Sequence, residues 1–195
     1  MSPQDPEDGL ARCPWATSHP LLLAYHDQEW GVPLRDDRAL FEFLVLEGFQ
    51  AGLSWLTILK RREAFRVAFD GFDPRVIAAY GPEKLAALLN DQSIIRNRLK
   101  IEASVANAKA MLAAVDKFGS FADYLWGLVD PRRGGHAWDS LKDLPAETPT
   151  SKAMSKDLKA RGFKFIGSTT CYAMMQAAGL VNDHLTGCYR WSQLA

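Results

Sequence analysis

The stretch Asp36–Trp55, DDRALFEFLVLEGFQAGLSW, decides the fold. Its apolar residues Leu40, Phe41, Leu44 and Val45 recur at the spacing that brings side chains to one face of an α-helix, whereas a half-buried strand alternates at every second residue. Asp36 and Asp37 precede the run, where a short acceptor side chain takes the free N–H groups of a first helical turn. Gly48 is expected to stop this helix and Ser54 to cap the next. In that second segment Leu56, Leu59 and Phe65 are read as inward and Lys60, Arg61 and Arg62 as outward. One carboxylate, Glu47, stands among Val45, Leu46 and Gly48 at the end of the apolar helix, a costly place for an unpaired charge.

The same punctuation continues along the chain. Asp73-Pro74 and Gly81-Pro82 put proline where helices start, so two short helices are expected, the second ending near Asn90. A longer periodic segment carries Ile101, Val105, Ala108, Met111, Leu112 and Val115 and stops at Gly119. Ser120 caps a segment with Phe121, Tyr124, Leu125 and Leu128. Residues 130–150, with Pro131, Gly134, Gly135, Pro145 and Pro149, read as the longest loop. Helices resume at Lys152–Ala160, closing at Gly162, and at Ser168–Ala178, closing at Gly179. Strand-like alternation is confined to the short Phe163-Lys164-Phe165. The fold class is therefore all-α. Residues 1–11 are expected to form a disordered tail, since SPQDPEDG at 2–9 is acidic and rich in proline, and residues 12–195 a single domain.

With 195 residues, 48% of them hydrophobic, the chain is long enough to bury a sizeable core. Lys+Arg and Asp+Glu are both 23, so no global basic field announces a nucleic-acid partner, and any DNA contact has to come from a local patch. The acidic N-terminus lacks the basic-then-apolar order of a signal peptide, and no apolar run approaches the roughly 20 residues that span a bilayer, so a cytoplasmic location without membrane contact is expected. In a reducing compartment the three cysteines read as ligands, buried thiols or nucleophiles rather than disulfides. Cys13 and His26 lie near one end, and His184 and Cys188 form H-x-x-x-C near the other. Two readings stay open on spacing alone: two small buried thiols with two satisfied histidines, or a Cys2His2 set for a structural metal ion. His19 and His136 read as loop histidines, and Cys171 as part of an apolar helical run. H-E-x-x-H is absent, which argues against a zinc hydrolase.

The blocks Tyr25-His26-Asp27-Gln28-Glu29-Trp30-Gly31-Val32-Pro33, Leu46-Glu47-Gly48-Phe49-Gln50-Ala51-Gly52-Leu53-Ser54-Trp55, Arg161-Gly162-Phe163-Lys164-Phe165-Ile166-Gly167 and Gly179-Leu180-Val181-Asn182-Asp183-His184 closely resemble the bacterial 3-methyladenine DNA glycosylase I family. The resemblance runs from about Arg12 to Cys188. It implies a two-lobed, helix-hairpin-helix glycosylase fold and one structural zinc held by Cys13, His26, His184 and Cys188 as a clasp between the terminal segments. It also implies hydrolysis of the N-glycosidic bond of 3-methyladenine in double-stranded alkylated DNA, the first step of base excision repair, with free 3-methyladenine as product and no strand cleavage. Tyr25 and Trp55, with Trp15 and Trp30, become pocket walls, and Glu47 the group that recognises the adenine edge. No general base is assigned.

Gly52-Leu53 suits a loop tip that fills the gap left by a flipped base, although an ordinary turn with a core leucine fits the sequence equally. Backbone grip is expected from Ser93, Arg96, Arg98 and Lys100, with Lys152, Lys156, Lys159 and Lys164 as a second basic set. Leu22 stands where some relatives carry a tyrosine. The enzyme is expected to act as a monomer; a zinc-stabilised protein that binds DNA damage without catalysis is the alternative.

Overall fold

The computed structural model describes residues 8–129 and 137–194. Of the expected tail only Asp8–Ala11 lies inside that range, and Pro131, Gly134, Gly135 and His136 lie outside it. No strand occurs among the described residues, Phe163-Lys164-Phe165 included. Eleven α-helices are described: α1 (Pro20–Gln28), α2 (Asp37–Gln50), α3 (Trp55–Leu59), α4 (Arg62–Ala68), α5 (Pro74–Ala78), α6 (Pro82–Asn90), α7 (Arg98–Phe118), α8 (Phe121–Trp126), α9 (Pro149–Ala160), α10 (Ser168–Ala177) and α11 (Tyr189–Gln193).

Most helix starts follow the expected caps. The side chains of Asp36, Ser54, Asp73 and Ser120 accept backbone N–H groups in the first turns of α2, α3, α5 and α8. Three boundaries move. Gly48 does not stop α2, which runs on to Gln50. A Cβ on Gly48 would make only ordinary contact, 3.7 Å from the carbonyl oxygen of Phe165, so this position neither ends the helix nor demands glycine. The segment after Ser54 breaks into α3 and α4 at Lys60-Arg61, and Arg62 turns inward. Its guanidinium lies 5.2 Å from the Phe43 ring centre and pairs with Glu42 at 2.5 Å and Glu29 at 2.6 Å. Two acids far away in sequence overrode its surface-like spacing. Finally, α9 begins at Pro149, not Lys152, because Thr148 and Ser151 form a reciprocal capping box ahead of it.

Helix α2 runs through the centre, with ten consecutive buried residues from Leu40 to Phe49. Phe41, Phe49, Phe65, Phe69, Phe72 and Phe121 belong to the main core, which α2 shares with α7, α8 and α10 packed against it. Two smaller apolar clusters sit beside it: Cys13, Leu185 and Cys188 under Trp15, Trp30 and Trp138, and Tyr25, Phe43 and Ala177 under Trp55. Main-chain hydrogen bonds tie the two ends of the chain together. Gly31 N–H donates to Gln176 O at 3.0 Å, Leu34 N–H to Ala178 O at 3.0 Å and Tyr189 N–H to Ala11 O at 2.9 Å. Among the described residues no helix is long and apolar enough to cross a membrane.

Candidate functional site

A cavity of about 400 Å³ opens where the small clusters meet the last turn of α2. Its walls are Trp15, Tyr25, Trp30 and Trp55, its floor includes Glu47, and its rim carries Leu22. Capping places Trp55: Ser54 fixes the start of α3, so the indole at the first helical position faces Tyr25 with ring centres 5.5 Å apart. Trp15 meets Trp30 edge-on at 5.1 Å. Side chains set at such angles leave flat apolar surfaces around a slot that suits a planar heterocycle. Thus all five residues expected in the base pocket come together.

Glu47 is only 5% exposed, and its Oε2 has no hydrogen-bond partner. Burial pushes its pKa up from 4.5 to about 8, so near neutrality the carboxyl is largely protonated and offers both a donor and an acceptor. Burial, and then the neighbouring Glu47, raise the Tyr25 phenol well above its usual range, which keeps it uncharged. The indole N–H of Trp55 is also buried without a hydrogen bond of good geometry. Unpaired buried polar atoms are rare because they cost free energy; here they mark the surface where a ligand's polar edge belongs.

Next to the pocket, Cys13, His26, His184 and Cys188 are all buried, and their ligand atoms lie within 4.8 Å of one another. The Cys188 Sγ is 3.4 Å from His26 Nε2 and 3.5 Å from His184 Nδ1, and Cys13 Sγ is 3.7 Å from His184 Nδ1. For a tetrahedral ion with metal–sulfur and metal–nitrogen bonds of about 2.3 and 2.05 Å, the sulfur–nitrogen edge is about 3.6 Å. The donor set therefore fits a four-coordinate cation. The far ring nitrogens are also engaged: His26 Nδ1–H donates to Asp27 Oδ1 at 2.8 Å and His184 Nε2–H to Trp30 O at 3.0 Å. Such partners select the tautomers that aim the other nitrogens inward. Arg12 holds Asp27 at 2.9 Å. At Gly31, φ is +80° and an added Cβ would come within 2.9 Å of His184 Nε2, so glycine is required there.

Residues expected to meet DNA divide. Leu53 is 42% exposed on a turn made by Gly52, whose φ of +84° leaves its surroundings open. Ser93, Arg96 and Arg98 are exposed at the turn between α6 and α7. Lys100 is a correction: it is 8% exposed, and its ammonium donates to Phe49 O at 2.9 Å and Ala51 O at 2.8 Å. It closes the carbonyl end of α2 and has no reach to a phosphate. Of the second basic set, Lys152 pairs with Glu147 at 2.7 Å, while Lys156, Lys159 and Lys164 are exposed.

Sequence reading missed other contributors. Thr57, Lys60 and Arg61 join the expected Ser93 in lining a surface cavity of about 390 Å³, with Arg61 donating to Ser93 O at 2.8 Å. The spacing of Lys60 and Arg61 marked them as outward without telling which face they share. Gln176, Leu141 and Leu144 also line the base pocket. Gln176 donates to Asp183 Oδ2 at 2.9 Å, the same carboxylate that accepts from the Tyr172 hydroxyl. Nothing local distinguished these residues, because chain crossings far from Glu47 bring them there.

An aromatic slot for a flat ring with a buried acid at its floor, in an all-helical chain, is the site of a base-excising DNA glycosylase. Residues 15–191 match the family described as methyladenine glycosylase. The chain is 48% identical over 179 residues to DNA-3-methyladenine glycosylase 1 of Escherichia coli strain K12, covering 92% of this chain and 96% of that one. A crystal structure of 3-methyladenine DNA glycosylase I superposes with a TM-score of 0.87 at 52% identity, covering 92% and 98% of the two chains. The Staphylococcus aureus enzyme, solved for the structural basis of its 3-methyladenine recognition, superposes with a TM-score of 0.87 at 39% identity over 91% and 95%. The chain belongs to the methyladenine glycosylase family.

Proposed function

We propose that this protein hydrolyses the N-glycosidic bond of 3-methyladenine in double-stranded DNA, with Glu47 as the recognition group. The observation that carries the reading is the unpartnered, buried carboxyl of Glu47 at the floor of an aromatic pocket. A base inside a duplex is out of reach, so the nucleotide must swing out, and Leu53 is the side chain exposed to fill the gap. Tyr25, Trp55, Trp15 and Trp30 sandwich the extruded ring, and Glu47 meets its polar edge.

N3-methylation leaves the attached base cationic. When the C1′–N9 bond breaks, the electron pair passes to the base, which departs neutral, while water adds to C1′ and loses a proton. A protonated Glu47 pairs with the base edge without adding a full negative charge that would stabilise the cationic ground state more than the departing base. Because the leaving group is already activated, orientation and exclusion of water supply the rest, and no general base or lysine nucleophile is assigned. The product is an intact strand with an abasic site.

Zinc is the ion we assign to Cys13, His26, His184 and Cys188, since two thiolates and two imidazoles at tetrahedral spacing suit it. Four protein ligands leave no open position, so the ion braces Tyr25, adjacent to His26, and supplies no reactive water. Ser93, Arg96 and Arg98 grip the backbone, joined by Lys60 and Arg61. One chain forms the whole pocket, so the reading needs only a monomer.

The deciding experiment incubates the protein with methylated duplex DNA and separates the released bases by chromatography. A 3-methyladenine peak, with strands that break only after alkali, is expected. Retention of alkylated DNA without any released 3-methyladenine would instead support a damage-binding protein without catalysis.

A further inference from the structure

Three non-glycine residues among those described adopt positive φ: Asp70, Phe72 and Phe165. Asp70 and Phe72 belong to one tight turn, where Phe72 is buried. Phe165 differs, because its φ is +54° while the residue is 41% exposed. A bulky residue in the left-handed region is strained and persists only where its surroundings over-determine it. Here they do. The buried Asn107 on α7 accepts from Lys164 N–H at 2.7 Å and donates to Lys164 O at 3.1 Å, and the buried Ser155 on α9 donates to Ile166 O at 2.6 Å. Buried polar side chains thus clamp both neighbours of Phe165, yet Phe165 itself stays exposed at the surface.

Its place in the fold gives that presentation a purpose. The Phe165 carbonyl and Cβ sit 3.7 and 3.8 Å from a Cβ built on Gly48, the residue after Glu47. Ile166 and Glu47 also share a narrow cleft behind the pocket. Along α7, Lys100 holds the end of α2 that leads to Gly52-Leu53, and Asn107, on the same face about 10 Å further on, holds Lys164. Leu53, just past the end of α2, and Phe165, packed on Gly48 in the last turn of α2, therefore both lie beside one end of that helix. Lys164 is exposed and forms no ion pair among the described residues.

We infer that Phe165 is a second apolar contact on the duplex, pressing on a base beside the flipped nucleotide while Lys164 takes the adjacent phosphate and Leu53 fills the gap. The inference rests on the reading that the chain acts on duplex DNA. A lone ring beside a lysine is too small for a stable protein interface, but it suits stacking on a base whatever the sequence.

The test measures fluorescence anisotropy of duplex DNA carrying an abasic-site analogue, with Phe165→Ala, Phe165→Trp and Lys164→Ala, alongside binding of free 3-methyladenine. Phe165→Ala should weaken duplex binding about tenfold, with Phe165→Trp within about twofold of wild type. Lys164→Ala should lower the salt slope by about one. Free-base affinity should hold in all three. Duplex affinity unchanged in Phe165→Ala, with wild type binding tightly, overturns this contact alone. Parallel loss of free-base affinity also overturns it, since the ring would then be propping Glu47. Wild-type protein that binds no duplex overturns the functional reading as well.

Discussion

Glu47 illustrates how one residue's environment decides its chemistry. Its pKa is 4.5 in the unfolded chain and about 8 in the folded one, raised by burial. Below pH 4.5 both states hold the proton; between 4.5 and 8 only the folded state does, so the free protein loses stability as pH rises through this window, on the order of 3–5 kcal/mol in total. Glu47→Gln removes the titration. Its melting temperature should therefore exceed that of wild type by a margin that widens from pH 5 to pH 8, and calorimetry across that range checks it. The same substitution should slow 3-methyladenine release about ten- to a hundredfold under single-turnover conditions, because amide and carboxylic acid present different donors to the base edge. A wild-type rate in Glu47→Gln would remove this residue from recognition. That Glu47 is a buried acid was legible in the sequence, since an acid in an apolar helix end is conspicuous. That its partner atom is missing was not, because absence of a partner is a property of three dimensions.

At the scale of elements, the caps carried most of the readable signal. Asp36, Ser54, Asp73 and Ser120 act within one turn of chain, and local chemistry is what a sequence exposes directly. Arg62 and Lys100 were misread for one common reason: each is determined by a residue far away in sequence, Glu42 at 20 positions and Ala51 at 49. Lys100 gives a clean test of element function. As a cap on the α2 carbonyls it should matter for stability and for the aim of Leu53, but not for phosphate contact. Lys100→Met should lower stability by about 1–3 kcal/mol in urea unfolding and leave the salt slope of DNA binding where it was. Arg96→Ala should do the reverse, leaving the unfolding midpoint within error and reducing the slope by about one.

At the scale of the molecule, the terminal clasp was half legible: the ligand types stood out, but only the folded chain brings residues 13 and 26 against 184 and 188. Chelation should accordingly loosen both ends at once, lowering the melting temperature and exposing the segment before Gly31 to protease, while Cys188→Ser should cut zinc content below one ion per chain by elemental analysis. The DNA-binding face poses the last question, because Lys+Arg and Asp+Glu balance at 23 each. A neutral molecule lacks long-range steering, so on the proposed reading its grip on DNA comes from local cations, for which Lys60, Arg61, Arg96, Arg98 and Lys164 are the candidates. If four or five of these neutralise phosphates, the logarithm of the duplex association constant should fall against the logarithm of salt with a slope of about −4. A slope near zero would mean that this face does not meet the backbone. A slope of about −4 that drops to about −2 in the Arg96→Ala, Arg98→Ala double variant would assign half of the grip to the turn between α6 and α7.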